Sequence, residues 1–170
     1  KVVAGTNGTI ANVSDAVNAS QGQAIAAASN IAAAFSGGVE DSTSNLYDTN
    51  NTAITTNFSA IKTDDADVAV TISDADFHGT NNNVTIAATT LSGIGNTTTG
   101  TVTVTNAVKV TGSQSDLTAA LVTEASKVSV SDAVVVISDA DFNATNNNRT
   151  LNASDLSAIG GATTGTVTVT

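Results

Sequence analysis

Valine alternating with threonine or serine is the strongest pattern in this chain. In Thr101–Val110 (TVTVTNAVKV), Val102, Val104, Val108 and Val110 fall on one face and Thr101, Thr103, Thr105 and Lys109 on the other. That is the period-two signature of two short strands, hinged at Asn106-Ala107. The pattern returns at Lys127–Val136 (KVSVSDAVVV), hinged at Asp132-Ala133, and begins again as TVTVT at Thr166–Thr170. Between these stretches the period becomes helical. Ser113 and Asp116 stand at capping-box spacing ahead of Leu117, Ala120 and Leu121, and Asn152 and Asp155 precede Leu156 and Ile159, closed by Gly160-Gly161. Nearer the N-terminus, Ser20 and Gln23 predict a helix start, with Ile31 and Phe35 on its face and Gly37-Gly38 as its stop. Ile54, Phe58 and Ile61 mark a further helical face.

The chain is internally duplicated. Val68–Thr105 aligns without gaps to Ala133–Thr170, with 25 identities in 38 positions and ISDADF, TNNN and TGTVTVT in both copies. A finer period runs through Asp15, Asp41, Asp67, Asn106 and Asp132, read as corner residues spaced 26, 26, 39 and 26 apart. Asn and Asp suit corners because their short side chains bond nearby backbone and tolerate left-handed conformations. The longer coils carry an insert, placed between strand and helix because Leu117 to Val128 and Leu156 to Val167 keep the same separation.

A unit of two short strands and one short helix cannot bury its apolar face alone, so successive units must stack. The expected fold is a β-rich repeat, a parallel β or β/α solenoid of roughly five coils; tandem β-sandwich modules are the alternative. Residues 1–63 read as degenerate N-terminal coils and residues 64–170 as the duplicated repeat region.

Composition supports thin layers over a deep core: there is no Cys, Pro, Met or Trp, and only one Tyr and four Phe in 170 residues. A net charge of −10 argues against nucleic acid and anionic lipid as partners, and the longest low-charge run, Gly22–Phe35, is too short and too Ala/Ser-rich to insert in a membrane.

The runs SAIGGATTGTVTVT, TTGTVTVTNAVKVTGSQSDLTAAL and VSDAVVVISDADF resemble repeats of very large secreted or cell-surface proteins of marine cyanobacteria and other aquatic bacteria. The resemblance covers residues 64–170 well and the first 63 loosely. It implies an extracellular array with structural, adhesive or coat roles, and it supplies no catalytic residues.

Candidate chemistry is sparse. Asp74, Asp76, His78 and Gly79, and then Asp139, Asp141, Asn143 and Ala144, follow the opening of a D-x-D-x-N-G calcium loop. Asp74, Asp76, Asp139, Asp141 and Asn143 are therefore candidate calcium ligands. Thr85 and Thr150 stand where the closing carboxylate belongs, so a solvated Asx-turn loop is the competing reading. Otherwise no cofactor is expected, and one His without Cys offers no nucleophile–base arrangement, so no enzyme is expected. The Thr faces of the two TVTVT runs predict outward Thr ladders, with Ser129 and Ser131 between them. Expected partners are copies of the chain or adjacent repeats at open sheet edges, with surface polysaccharide as the alternative. The resulting reading is a non-enzymatic structural protein of the cell surface or matrix; a glycan- or surface-binding module, calcium-assisted if the inserts hold a metal, is the second.

Overall fold

The alternating valines pair with one another as strands of two parallel sheets. The computed structural model describes residues 2–3, 11–28, 32–75, 84–126, 128–139 and 150–170. In chain order the elements are β1 (Val2–Val3), β2 (Ala11–Val13), α1 (Ala19–Ala28), β3 (Ala33–Ala34), β4 (Val39–Asp41), α2 (Thr43–Leu46), β5 (Tyr47–Asp48) and β6 (Ala53–Ile54). They continue as α3 (Thr56–Asp64), β7 (Val70–Ile72), β8 (Thr85–Ala87), α4 (Ala88–Gly95), β9 (Val102–Val104) and β10 (Lys109–Gly112). The last are α5 (Gln114–Leu121), β11 (Val128–Val130), β12 (Val134–Ile137), α6 (Ala153–Gly161) and β13 (Val167–Val169). Among the described residues the fold is mixed α/β with parallel sheets and no closed barrel.

One sheet runs β11-β9-β7-β4 and the other β13-β12-β10-β8. Register in the first places Val39, Val70, Val102 and Val128 in one row, all buried. In the second it aligns Ile86, Val110, Val135 and Val167, of which the first three are buried. Burying a Val or Ile side chain contributes about 1.5–3 kcal/mol, so these rows are a main source of stability. The two repeat copies share a sheet, since β8 of the first lies in one sheet with β12 and β13 of the second, so they are not separate modules. Smaller elements flank them: β1 and β3 pair with β2, β5 and β6 form an antiparallel hairpin, and Val17 bridges to Val39. Helices α4, α5 and α6 lie side by side in sequence order, and α1 packs on α3.

Several expectations need correction. The corner series mixed two positions. Pairing of Val70 with Val102 and Val102 with Val128 makes Asp74, not Asp67, the counterpart of Asn106 and Asp132, so those coils are 32 and 26 residues long. Asn106 Nδ2 donates to the Asp74 carbonyl at 2.7 Å, which places the two corners side by side. Asp41 belongs to β4.

The final TVTVT does not extend the row of its sequence twin. β9 joins the first sheet, whereas β13 pairs with β12 in the second. The reason lies in the duplication: Val70 pairs with Val102, and their counterparts Val135 and Val167 pair in the same way. Thr103 is consequently flanked by Thr71 and Ser129, whereas Thr168 lies beside Val136 in the other sheet, with Thr111 one strand further on, so the two Thr runs form no common ladder.

Helix α1 spans Ala19–Ala28, and Phe35 follows strand β3 instead of lying on the helix face. Its capping box is Asn18–Gln21, closed by reciprocal bonds of 3.1 and 2.8 Å, rather than Ser20–Gln23. Beyond it the Asp64 and Asp65 carboxylates accept from the Ala33 and Phe35 N–H groups at 3.0 and 2.6 Å, and this tertiary pairing overrides the helix propensity of the Ala run. Ile54 lies in β6, ahead of α3, so only Phe58 and Ile61 of that expected face are helical. Elsewhere Ser113 caps the Asp116 N–H, Asn152 caps Ser154, and Leu117, Ala120, Leu121, Phe58, Ile61 and Ile159 are buried.

Candidate functional site

Asp74 and Asp139, the described members of the candidate calcium set, both face a helix start in the preceding coil. Asp74 accepts from Thr43 through both oxygens, from the N–H at 2.6 Å and from Oγ1 at 3.0 Å. Asp139 Oδ2 accepts from the Gln114 N–H at 2.7 Å, and Asp41 Oδ2 accepts from Ala19 at 2.9 Å. Thr43, Gln114 and Ala19 are the first residues of α2, α5 and α1, where N–H groups lack an intrahelical partner. These carboxylates therefore cap helices across coils, a role the local sequence conceals because the acceptor and the donor lie 22 to 31 residues apart. Asp76, Asp141 and Asn143 lie outside the described residues. Among the described residues no three His, Asp or Glu side chains come together as a metal set.

Asp74→Ala is expected to cost about 1 kcal/mol in urea denaturation, with or without calcium. Stability that rises with millimolar calcium in the parent chain but not in the variant would make Asp74 a ligand instead.

A second set of polar bonds locks the β7–β9 and β12–β13 pairs in register. Thr98 Oγ1 donates to the Val68 carbonyl at 2.7 Å and accepts from the Gly100 N–H at 2.9 Å. Thr163 repeats this with Ala133 and Gly165, at 2.7 and 3.0 Å. A Cβ on Gly100 or Gly165 would overlap the backbone carbonyls of the preceding coil, so only glycine fits. Gln114, nearly buried, joins two helix starts: its Nε2 donates to Asp155 Oδ2 at 2.8 Å, and its Oε1 accepts from the Asn152 N–H. Sequence reading missed Thr98, Thr163 and Gln114 as individual residues, although TTGTVTVT, repeated intact, carried the signal for the first two.

An open cleft of about 840 Å³ lies between the β5–β6 hairpin and β8. Tyr47, Asp48, Asn50, Asn51, Thr55 and Thr85 line it with hydroxyl, amide and carboxylate groups. A Cβ on Gly93 would overlap the Tyr47 ring, so the ring lies directly on the α4 backbone. At the hairpin tip Asp48 accepts from Asn51 Nδ2 at 2.6 Å and from the Asn50 N–H at 2.9 Å, and the Asn51 bond, followed by that of Asn50, holds its carboxyl below the usual range. Thr52 has φ of +50°, an uncommon value for a β-branched residue.

Burial raises the Asp65 carboxyl, opposed by the Phe35 N–H bond and reinforced by neighbouring Asp67. A carboxyl whose folded pKa lies above its unfolded one binds its proton more tightly when folded, so its contribution becomes more favourable as pH falls through that interval. Asp65→Asn is expected to remove this term. The melting temperature of the parent chain relative to the variant should rise on acidification from neutral pH; a difference that stays constant or falls contradicts the assignment.

No helix among the described residues is long and apolar enough to cross a membrane. Comparison with protein-family models, curated proteins and solved structures finds no match.

Proposed function

We propose that this chain is a non-enzymatic structural repeat segment, a parallel β/α solenoid whose stacked coils form a rod or end-to-end filament at the cell surface or in the extracellular matrix. The observation that carries this reading is the use made of its polar residues. The carboxylates of Asp41, Asp74 and Asp139 are engaged in joining one coil to another. The resemblance to large repetitive surface proteins agrees with it, and the charge of −10 disfavours nucleic acid and anionic membranes as partners. Electron microscopy across a concentration series tests it: filaments that lengthen with concentration support the proposal, and discrete particles at every concentration contradict it.

The cleft beside the hairpin favours a second reading, an adhesin-like module for surface glycans. Its hydroxyl and amide lining and the Tyr47 ring match the groups sugars engage. Polysaccharide binding by a monomer, lost in Tyr47→Ala, would favour this reading over the first.

A further inference from the structure

We infer that Asn50, at the tip of the β5–β6 hairpin, is an acceptor of N-linked glycan; the inference rests on the cell-surface placement in the reading above and names a modification of that surface. Ten Asn-x-Ser/Thr sequons occur in the chain, and six of them, at Asn12, Asn18, Asn50, Asn57, Asn96 and Asn152, fall among the described residues. A chain so rich in Asn, Ser and Thr produces many sequons by chance, so the fold decides which of them a transferase can reach. The amide nitrogen of asparagine is a poor nucleophile until its lone pair is drawn out of conjugation. A transferase does this only on a peptide segment that enters its cleft extended. The tripeptide must therefore be exposed at all three positions and able to leave the fold.

Five of the six fail that test. The middle residues Val13, Ala19 and Phe58 are fully buried, so presenting Asn12, Asn18 or Asn57 would empty part of the core. In the Asn96 sequon the Thr98 hydroxyl is donated to the Val68 carbonyl at 2.7 Å. Asn152 is committed at a helix start: its Oδ1 accepts from the Ser154 N–H and Oγ at 2.9 and 2.7 Å, and its own N–H is donated to Gln114 Oε1 at 2.8 Å. The Asn50-Asn51-Thr52 sequon differs on every count. Residues 49–53 are exposed without interruption, and the Thr52 hydroxyl is donated one residue back, to the Asn51 carbonyl at 2.8 Å. The bonds from Asn50 and Asn51 to Asp48 are equally local.

The tip can also open alone. β5 and β6 pair through two residues each, Tyr47 with Ile54 and Asp48 with Ala53, and so short a hairpin is marginal by itself. Leu46, fully buried, and the Tyr47 ring against Gly93 hold its base, so residues 49–52 can extend without disturbing the core. An acidic residue two places before the asparagine is a further feature that bacterial transferases read, and of the six sequons only that of Asn50 has one, Asp48. In the reaction Asn50 Nδ2 attacks the anomeric carbon of an oligosaccharide carried on a lipid pyrophosphate. The C1–N bond forms, the C1–O bond breaks, the lipid pyrophosphate leaves with the electron pair, and Nδ2 gives up one proton. The attached sugar then stands beside the cleft that Asn50 and Asn51 line.

Incubating the folded chain with lipid-pyrophosphate-linked oligosaccharide and a single-subunit oligosaccharyltransferase that needs only Asn-x-Ser/Thr tests this, because the fold alone then discriminates. Peptide mass mapping should find one oligosaccharide on Asn50 and no more than about a tenth of that occupancy at the other five sequons. Asn50→Gln and Thr52→Ala should remove that glycan, and Thr52→Ser should keep it. All three variants should retain the parent's circular dichroism, since each change lies at an exposed position. An unmodified Asn50 in the folded chain, when a free peptide of residues 46–54 accepts the sugar, overturns the inference. Equal occupancy at all six sequons overturns it too, because the fold would then select none. Neither failure touches the rod reading, which microscopy tests separately.

Discussion

Gly95→Ala should destabilise the chain by about 2–3 kcal/mol, the upper part of the range for overpacking, whereas Gly160→Ala should stabilise it by about 0.5 kcal/mol. The two glycines hold the same place in the duplicated sequence, and both sit in the last turn or two of a helix. Helix propensity alone predicts a gain at each, because alanine loses less conformational freedom. The environment reverses the sign at Gly95, where the new methyl group meets the Ser126 carbonyl. That carbonyl cannot retreat cheaply, because the Ser126 hydroxyl donates to Ala119 and its N–H donates to Thr123 at 3.0 Å. Urea denaturation of both variants checks the pair. Equal effects at the two sites would mean that no coil packs over Gly95.

Phe58→Ala should cost about 3–5 kcal/mol, the loss typical of emptying a buried aromatic site. Phe58 is fully buried on α3, and Thr55 Oγ1 accepts from its N–H at 3.3 Å, which fixes the start of that helix. Helix α3 packs on α1, α2 and β3, so it holds the irregular N-terminal elements to one another. With only four Phe and no Trp or Met in the chain, few side chains exist to fill such a cavity by rearrangement. Thermal unfolding monitored by far-ultraviolet dichroism should show the drop; a melting temperature within 2 °C of the parent would contradict the packing, since about 1 kcal/mol alone shifts a domain of this size by roughly 2–4 °C.

Much of this fold is written in the valines. Period-two alternation states which side of a strand faces inward, and Val70, Val102 and Val128 are buried as it requires. Alternation does not state which strand lies alongside, so identical TVTVT runs end in different sheets. Only the alignment of the two copies resolves that, because each TVTVT run pairs with a strand of its own copy through the same Thr–Gly turn. The hairpin at Tyr47–Ile54 escaped notice because its strands are two residues long and its Asn-rich turn shows no alternation. Asp74 and Asp139 read as calcium ligands for a simple reason: a carboxylate that caps a helix and one that binds a hard cation offer the same oxygen acceptors. The N–H groups of Thr43 and Gln114 that lie opposite them in space add a helix-capping role beside the calcium reading.

The proposed solenoid requires coils that stack in parallel register, and the absence of Cys makes this directly measurable. Cysteines introduced together at Val136 and Thr168, neighbours in the β12–β13 register, should form an intramolecular disulfide under mild oxidation. Cysteines at Ser129 and Thr168 probe the arrangement in which the final strand continues the first sheet, and they should remain reduced in the monomer. Cross-linking of the first pair alone is the predicted result; cross-linking of the second pair in place of the first would contradict the stacking from which the structural reading is drawn.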